Sequence, residues 1–308
     1  MQRNEPTRAN RPARPLPVEV AQLDPRSPSC GSTFLRRYVG PRVPVLLQGL
    51  VGRWPALERW TPAYFRSIGA GVRVKVKLGD VAEGVQQPVS LSDYAGRLER
   101  YEDGQESSRP PYLHDVPLLH WMPELLADVD PFPTELLPPW YRARWWSFVQ
   151  YFMGPTGAST PLHFDTLLTH NLFFHVVGRK RFTLISPSDH DRCYLRDWRW
   201  SDVDAEAPDL ARFPRLRSVR RQQVIVEPGD VLYLPPGTLH QVTSLSFTAS
   251  FNIDWHTPHS AAWGMTTVLR GAPPRNLYYN ALAFLGVALG VPYDVIFPLY
   301  RSYLDLVS

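Results

Sequence analysis

Two side chains of metal-ligand type stand two residues apart in the middle of the chain, at His163 and Asp165. Alternate residues of a β-strand project from the same face, so this imidazole and this carboxylate can converge on one cation. His240 follows an apolar run that ends in Pro235-Pro236-Gly237, where a strand turns back, and it is the candidate for a third ligand. Two histidines and one carboxylate leave positions open for co-substrate and dioxygen in non-haem iron(II) oxygenases. Because zinc more commonly has three histidines or cysteines, the sequence predicts iron(II) at His163, Asp165 and His240.

A His-x-Asp pair also arises by chance, and the remaining histidines give the contrast. His175 lies in an apolar segment and is predicted to be a core residue, whereas His170 stands in the loop beside the proposed site and its role is left open. Five histidines lack a carboxylate at ligand spacing in a comparable strand context. No role in the site is predicted for these five: His114, His120, His190, His256 and His259.

Short strands after residue 145 are the elements that must position the ligands. Segments rich in aromatic and β-branched residues are separated by turns that contain glycine, and this spacing predicts a barrel or a sandwich. The predicted strands are Trp146–Met153, Asn171–Val177, Lys180–Ile185, Gln222–Val226, Asp230–Leu234 and Phe247–Ile253.

Helical and mixed patterns frame this β-rich region on both sides. Before it, helices are predicted at Ser32–Val39, from Thr61 and at Leu91–Tyr101, and strands at Pro44–Gly49 and Gly71–Leu78. After it, apolar residues recur at helical spacing through Leu277–Leu289 and Val295–Leu306. The predicted organisation is a flexible tail at 1–17, N-terminal α/β elements at 18–144, a barrel core at 145–256 and a C-terminal helical segment at 257–308.

Composition limits the class of protein. With 44% hydrophobic residues the 308-residue chain can build a globular core, which excludes wholesale disorder. The longest apolar run, Ala281 to Val291, is shorter than the roughly 18 residues that a membrane helix needs, and the N-terminus lacks the apolar stretch of a secretory signal. A net charge of +4, with arginines scattered among acids, gives no reason to predict nucleic-acid binding. Only Cys30 and Cys193 are present, which fits a reducing cytoplasm.

Several runs along the chain carry a family resemblance. They are Thr160–Asp165, Asn171–Phe174, Gly178–Phe182, Glu227–Pro235 and Ser250–Asn252, together with N-terminal matches at Phe34-Leu35, Pro44-Val45 and Trp54–Thr61. Together they resemble the JmjC and cupin-like hydroxylases, which are 2-oxoglutarate- and iron(II)-dependent oxygenases that include the asparaginyl hydroxylase acting on the hypoxia-inducible factor. The resemblance covers nearly the whole chain past the tail. It implies a mainly β fold with helices, built on a double-stranded β-helix of the cupin or jelly-roll type.

The resemblance also implies 2-oxoglutarate as the co-substrate, used together with dioxygen. Lys180 matches the family's carboxylate-binding lysine, and Thr160 matches its hydroxyl partner. Asn171 and Asn252 match polar positions beside the co-substrate. Without the family motif, Lys180 would be interpreted as an exposed hairpin lysine. One departure is visible, because the loop Thr166–His170 is longer than in the asparaginyl hydroxylase and leaves the geometry of the substrate entrance open.

The implied reaction is hydroxylation of a C–H bond coupled to conversion of 2-oxoglutarate to succinate and carbon dioxide. We expect the substrate to be a side chain of a protein or peptide; a natural product or another small molecule is the alternative. Demethylation of N-methyl lysine or arginine is also open, since five aromatic residues could build a cage for a methylated cation. These residues, which more often pack in the core or rim, are Trp145, Trp146, Tyr194, Trp198 and Trp200.

An alternative from a different class is a non-catalytic cupin-type binding protein, and the presence of all three ligands and Lys180 argues against it. The resemblance further implies that the C-terminal helices form a homodimer interface. The mixed-charge segment Arg196–Arg221 could steer a polypeptide, but we interpret its charged residues as those of a solvated loop.

Overall fold

Two β-sheets build the core of the protein. The computed structural model describes residues 18–25, 27 and 30–307, so the predicted tail at 1–17 lies outside the described residues. In chain order the strands are β1 (Val18–Glu19), β2 (Ala21–Leu23), β3 (Val45–Leu47), β4 (Arg73–Lys77), β5 (Gln86–Ser90), β6 (Tyr112–Val116), β7 (Val149–Gly154), β8 (Ser159–His163), β9 (His170–Val177), β10 (Lys180–Ile185), β11 (Leu195–Arg196), β12 (Trp200–Ser201), β13 (Arg221–Val226), β14 (Val231–Leu234), β15 (Leu239–Ser244) and β16 (Thr248–Trp255).

The order of the strands is that of a double-stranded β-helix. One sheet has the order β1-β13-β10-β15-β8-β12-β11, and the other has the order β2-β3-β14-β9-β16-β7-β6-β4-β5. The chain crosses repeatedly between the two sheets from β7 to β10 and again from β13 to β16, and the pairings among these eight strands are antiparallel. The predicted jelly-roll core is therefore confirmed.

Helices cover the sheets before and after the barrel. They are α1 (Cys30–Phe34), α2 (Ala56–Arg59), α3 (Pro62–Ile68), α4 (Leu91–Glu102), α5 (Leu118–Trp121), α6 (Pro139–Arg142), α7 (Pro258–Met265), α8 (Pro274–Leu289) and α9 (Tyr293–Val307). Shorter 3₁₀ turns occur at Val81–Glu83, Pro123–Val129, Thr134–Leu136, Trp145–Phe148, Pro187–Arg192, Pro214–Ser218 and Thr266–Arg270, and a π turn at Leu35–Val39. No helix among the described residues is long and apolar enough to cross a bilayer.

Local sequence signals explain where several elements begin and end. The hydroxyl of Thr61 accepts a hydrogen bond from the backbone N–H of Tyr64, and Pro62 occupies the first position of α3, as predicted. Gly290 ends α8 in the left-handed conformation, at φ 70°, and Pro292 keeps α9 separate from it. All six predicted strands are present with ends shifted by at most three residues; the largest shift arises because Trp145–Phe148 forms a 3₁₀ turn before β7.

The two faces of strand β9 belong to two separate apolar clusters of the barrel. The strand is hydrogen-bonded on both edges, to β14 and β16, and nearly every residue in it is buried. Phe174 packs into a large cluster with residues of the N-terminal elements, whereas its neighbour Phe173 points to the barrel interior with Phe182. Strand β6 from the N-terminal region extends the same sheet beside β7. The N-terminal elements are thus part of the wall around the barrel interior.

Candidate functional site

A cavity of about 330 Å³ opens between the two sheets and is lined by all of the predicted site residues. They come from strands of both sheets, which is why residues far apart in sequence meet there. The predicted residues in the lining are Thr160, His163, Asp165, Asn171, Lys180, His240 and Asn252.

The three predicted metal ligands lie close together in the cavity lining. Strands β8 and β15 pair so that His163 and His240 are cross-strand partners, with ring centroids 4.2 Å apart. Asp165 is the second residue after the end of β8, and its Oδ1 is 3.7 Å from Nε2 of His240. One ligand atom from each of the three residues lies within 4.8 Å of the others, which is a spacing that a single metal ion can bridge.

Neighbouring groups orient each ligand. Nδ1 of His163 lies 2.8 Å from the carbonyl of Pro161, and Nδ1 of His240 lies 3.0 Å from the carbonyl of Thr238. A carbonyl can only accept, so both Nδ1 atoms carry the proton and Nε2 is left as the lone-pair nitrogen for a metal. Burial, together with the neighbouring histidine, lowers the pKa of His163 well below its usual value, which keeps the ring neutral.

Lys180 is a buried cation at the inner end of the cavity. It begins β10 and is 1% exposed, so the alternative of an exposed hairpin lysine is wrong. Its Nζ donates to the hydroxyls of Tyr112, at 2.8 Å, and Ser250, at 3.0 Å. No carboxylate of the described residues pairs with it, and burial lowers its pKa to about 7. A buried ammonium without a counter-charge is costly, so this end of the cavity fits an anionic group.

The other three predicted co-substrate residues line the same cavity as Lys180 and the metal ligands. The hydroxyl of Thr160 is 3.1 Å from Nε2 of His114. Asn171 donates its amide to Asp165 at 3.3 Å and so holds that carboxylate. The amide oxygens of Asn171 and Asn252 are buried with no hydrogen-bond partner among the described residues. Orphaned buried acceptors are rare in proteins, so these oxygens indicate that a donor is expected in the cavity.

Strand β6 supplies site residues that the sequence did not predict. Tyr112 and His114 both line the cavity, since alternate residues share a face of the strand, and the prediction that His114 has no place there is wrong. His114 links Thr160 to Asp115, whose Oδ2 is 2.8 Å from Nδ1 of His114 and 3.3 Å from Nζ of Lys77. Burial lowers the pKa of His114 to about 4, so the ring is neutral. The alternation of Tyr112 and His114 was the one available sequence signal.

Residues from the segment between β10 and β13 and from the C-terminal helices complete the outer wall of the cavity. Arg199, directly before β12, stacks on Trp200 with Cζ 4.2 Å from the ring centre, so its interpretation as part of a solvated loop is wrong. Trp200 in turn stacks on His163, with centroids 4.6 Å apart. From α8 and α9 come Asn276 and Tyr303, which are both buried.

The loop after Asp165 is fastened from the C-terminal helices. Asn276 donates its amide to the carbonyl of Thr166 at 3.0 Å. Gly264 in α7 packs so closely on this loop that an added Cβ would lie 2.6 Å from the carbonyl oxygen of Leu167. The last residue of the predicted loop, His170, already belongs to β9, where it hydrogen-bonds Tyr233 at 2.7 Å and stacks on Trp255. It is thus a structural residue and lies outside the cavity lining.

Three of the five aromatic cage candidates, and the predicted core histidine His175, lie outside the cavity lining. Trp145 stacks on Phe132 in the N-terminal core, and Tyr194 packs on Phe213 in a separate apolar cluster; neither lines the cavity. Only Trp198 and Trp200 of the five cage candidates line the cavity, so the described residues do not assemble that cage. His175 is fully buried with Nε2 bonded to the carbonyl of Gly178, as a core histidine is expected to be.

Comparison with known proteins gives consistent matches across the barrel. A family model described as a cupin-like domain matches residues 31–261. The Jumonji C domain-containing protein 5 of Drosophila melanogaster is 30% identical over 248 residues, which are 76% of this chain and 59% of that protein. Lysine-specific demethylase 8 of Xenopus tropicalis is 28% identical over 233 residues, covering 72% of this chain and 50% of that protein. The 2-oxoglutarate and iron-dependent oxygenase JMJD4 of Gallus gallus is 29% identical over 250 residues, covering 73% and 57%.

The chain spans between half and three fifths of the length of these relatives. The family match ends within α7, so α8 and α9, which supply Asn276 and Tyr303 to the cavity wall, lie beyond it.

Proposed function

This chain belongs to the family of cupin-like domains, and we propose that it is an iron(II)- and 2-oxoglutarate-dependent dioxygenase that hydroxylates a side chain of a protein or peptide. The observation that carries the proposal is that one cavity contains both a candidate metal site and a buried cation. Two histidines and a carboxylate lie within bridging distance of one metal ion, and Lys180 is buried in the same cavity with no carboxylate partner among the described residues.

The donor set fits iron(II). His163 and His240 would bind through Nε2 and Asp165 through a carboxylate oxygen, and this set of three leaves positions open on the metal. Iron(II) held there would supply the activation of dioxygen that is coupled to oxidative decarboxylation of 2-oxoglutarate. The protein fixes the ligands beforehand: two backbone carbonyls orient the imidazoles, and Asn171 holds the carboxylate.

The inner end of the cavity fits the distal carboxylate of 2-oxoglutarate. Lys180 would form a charge-assisted hydrogen bond with it, and the hydroxyls of Tyr112 and Ser250, which already contact Nζ, would donate to the same carboxylate. The unpartnered amide oxygens of Asn171 and Asn252 only accept hydrogen bonds, so they do not bind this carboxylate and are left for a donor on another ligand. Rings of Phe152 and Phe173 lie 5.3 Å and 5.2 Å from Nζ and exclude water from the ion pair.

A protein or peptide substrate is supported by the openness of the site and by the relatives. The cavity lining reaches exposed residues at its mouth, including Arg275 and Gly84, so a side chain on a larger molecule can enter. The name of one relative gives lysine demethylation, and that of another gives only a 2-oxoglutarate- and iron-dependent oxygenase. Hydroxylation is favoured over demethylation here because Trp145 and Tyr194 lie away from the cavity.

The test is to incubate the protein with iron(II), 2-oxoglutarate and a library of peptides, and to measure succinate together with the peptide masses. Hydroxylation gives succinate and peptides that gain one oxygen atom. Loss of a methyl group with release of formaldehyde would instead establish the demethylase. The change Asp165→Ala should abolish succinate formation, and the matched control His259→Ala, at an exposed histidine outside the cavity, should not. If the wild-type protein binds peptides and forms no succinate, it is a binding protein and the proposal fails.

A further inference from the structure

The outer part of the cavity holds two polar groups that neither the metal nor the co-substrate residues use. Arg199 reaches it from the segment before β12, and Tyr303 reaches it from α9. Tyr303 lies outside the residues matched by the family model.

Arg199 presents a guanidinium to the cavity without an acidic partner. Its Nη1 donates to the carbonyl of Phe164 at 3.2 Å, and no carboxylate of the described residues forms an ion pair with it. Stacking on Trp200 holds the guanidinium plane, and Trp200 also stacks on the predicted metal ligand His163. The cation is therefore held at a fixed position next to the metal site, with N–H donors left over.

Tyr303 places a hydroxyl in the same part of the cavity. The side chain is only 5% exposed, and its ring packs against Tyr279 and Tyr300 of the C-terminal helices. Its hydroxyl makes no hydrogen bond with the described residues, although it lines the cavity. Burial and the carboxylates of Asp254 and Asp115 raise the pKa of Tyr303, whereas the charge of Arg199 acts to lower it, so the phenol stays protonated and has charged neighbours of both signs. A buried phenol normally has a hydrogen-bond partner, so a ligand group is expected there.

The charge of the lining favours an anionic partner. Apart from the metal ligands and Lys180, the cavity wall carries three basic residues and two acidic ones: Lys77, Arg199, Arg275, Asp115 and Asp254. Both acids already have donors, because Asp115 is bonded to Lys77 and His114, and Asp254 accepts from the amide of Asn252 at 3.4 Å. Arg199 stacks on Trp200 beside His163 and forms no ion pair with the described residues.

We infer that Arg199 and Tyr303 form a subsite for a carboxylate of the substrate, so that the molecule oxidised here carries an acidic group close to the reacting carbon. The inference rests on the proposed function for its reaction but concerns substrate choice. The planar guanidinium fork and the phenol hydroxyl together offer enough donors for both oxygens of one carboxylate.

Binding without turnover tests the subsite. The protein would be loaded with Mn²⁺ and N-oxalylglycine, a co-substrate analogue, and titrated by calorimetry with end-blocked peptides that differ only in a central Asp, Glu, Asn, Gln or Lys. Peptides with Asp or Glu should bind at least about tenfold tighter than those with Asn, Gln or Lys, since a hydrogen bond to a charged group contributes about 1.5–3 kcal/mol. Equal binding of the acidic and amide peptides overturns the inference.

Further titrations identify which kind of molecule supplies the carboxylate. A neutral peptide with a free C-terminus and N-acetylglutamate are titrated in parallel with the Asp and Glu peptides. Whichever of the three binds tightest names the source as a C-terminus, a small acid or an acidic side chain, and each of these supports a carboxylate subsite. If none binds better than the blocked Asn peptide, there is no such subsite.

Variants separate this subsite from the co-substrate site. Arg199→Gln should remove the preference for acidic peptides, Arg199→Lys should keep part of it, and Tyr303→Phe should reduce it about threefold to tenfold, the loss of about one hydrogen bond. Tyr300→Phe is the matched control, because Tyr300 is buried on the same helix but does not line the cavity. If Arg199→Gln weakens binding of N-oxalylglycine instead, the guanidinium belongs to the co-substrate site and the inference fails.

The experiment separates a failure of the carboxylate subsite from a failure of the proposed function. If Arg199→Gln unfolds, as judged by its melting temperature, Tyr303→Phe alone decides, since it removes one oxygen atom and leaves the ring packing. If the wild-type protein prefers acidic peptides but forms no succinate, the proposed function falls and the carboxylate subsite stands.

Discussion

The inner end of the cavity and its outer wall are built in different ways. At the inner end, every group that would contact the metal or 2-oxoglutarate stands on or beside a strand of the barrel, and the predicted ligands His163 and His240 are direct cross-strand partners. The outer wall is made of a segment between strands and of helices α8 and α9, which lie beyond the family match. Rigid paired strands fix atoms to within a fraction of an ångström, whereas connecting segments and added helices can vary without disturbing them.

The chemistry and the choice of substrate are therefore expected to depend on different parts of the cavity. The residues of the inner end are those that would hold the metal and the co-substrate. The residues of the outer wall, such as Arg199 and Tyr303, can change the molecule that is admitted while the reaction stays the same. Substitutions at the two ends should therefore have separable effects.

The largest effect is expected from the metal ligands. Asp165→Ala or His240→Ala should reduce succinate formation to the background level and weaken binding of Co²⁺ followed by its absorption spectrum, since two remaining ligands hold a metal poorly. Arg199→Gln, at the outer wall, should retain Co²⁺ binding and the slow turnover of 2-oxoglutarate without substrate. Equal loss of Co²⁺ binding in Arg199→Gln would show that the inner end and the outer wall do not act separately.

Removing the buried cation should have the next largest effect. Lys180→Met deletes a charge-assisted hydrogen bond of about 1.5–3 kcal/mol, so the KM for 2-oxoglutarate should rise by up to about a hundredfold. Succinate formation at increasing 2-oxoglutarate gives this value. The neighbouring Arg179 is exposed, and Arg179→Met should leave the KM unchanged. A KM unchanged in Lys180→Met would place the co-substrate elsewhere.

The pH dependence of stability provides a smaller but specific signal from the same residue. Burial lowers the pKa of Lys180 from 10.5 to about 7, so between these values the unfolded chain binds more protons than the folded one. The contribution of Lys180 to the free energy of unfolding should then rise with pH between about 7 and 10. Urea unfolding of the metal-free protein should show that wild type gains more stability across this range than Lys180→Met. The same gain in both proteins would contradict a lowered pKa.

The smallest effect on chemistry is expected at the surface of the C-terminal helices, which we predict to form a homodimer. Leu285 and Leu289 of α8 are 37% and 66% exposed, and a patch of exposed apolar residues is typical of an interface. The double change Leu285→Glu, Leu289→Glu should convert a dimer to a monomer in light scattering and leave the KM for 2-oxoglutarate within about twofold. Leu269→Glu, at an 85% exposed leucine outside α8 and α9, is the control. A wild-type monomer would show that the dimer prediction is wrong.

The sequence predicted what is local and missed what is distant. Spacing of two residues was enough to single out His163 and Asp165 as a candidate pair. The two strands that carry the histidine ligands, β8 and β15, were not among the six predicted strands, although the turn before His240 was recognised. Tyr112 and His114 reach the cavity only because β6 pairs with β7, which no local pattern encodes. Arg199 looked like any charged residue of a loop, since its stacking on Trp200 depends on the fold of the segment around it.

The hydrogen bond from Asn276 to the backbone of Thr166 has a consequence for how the protein can be divided. Helix α8 holds the residue that follows the carboxylate ligand, so a chain cut at the end of the family match would keep its barrel strands yet release that loop. A shortened chain that keeps the candidate site intact should therefore include α8. Chimeras between relatives should keep their junctions out of the stretch between α7 and α9, and exchange the helices only together with the loop that they fasten.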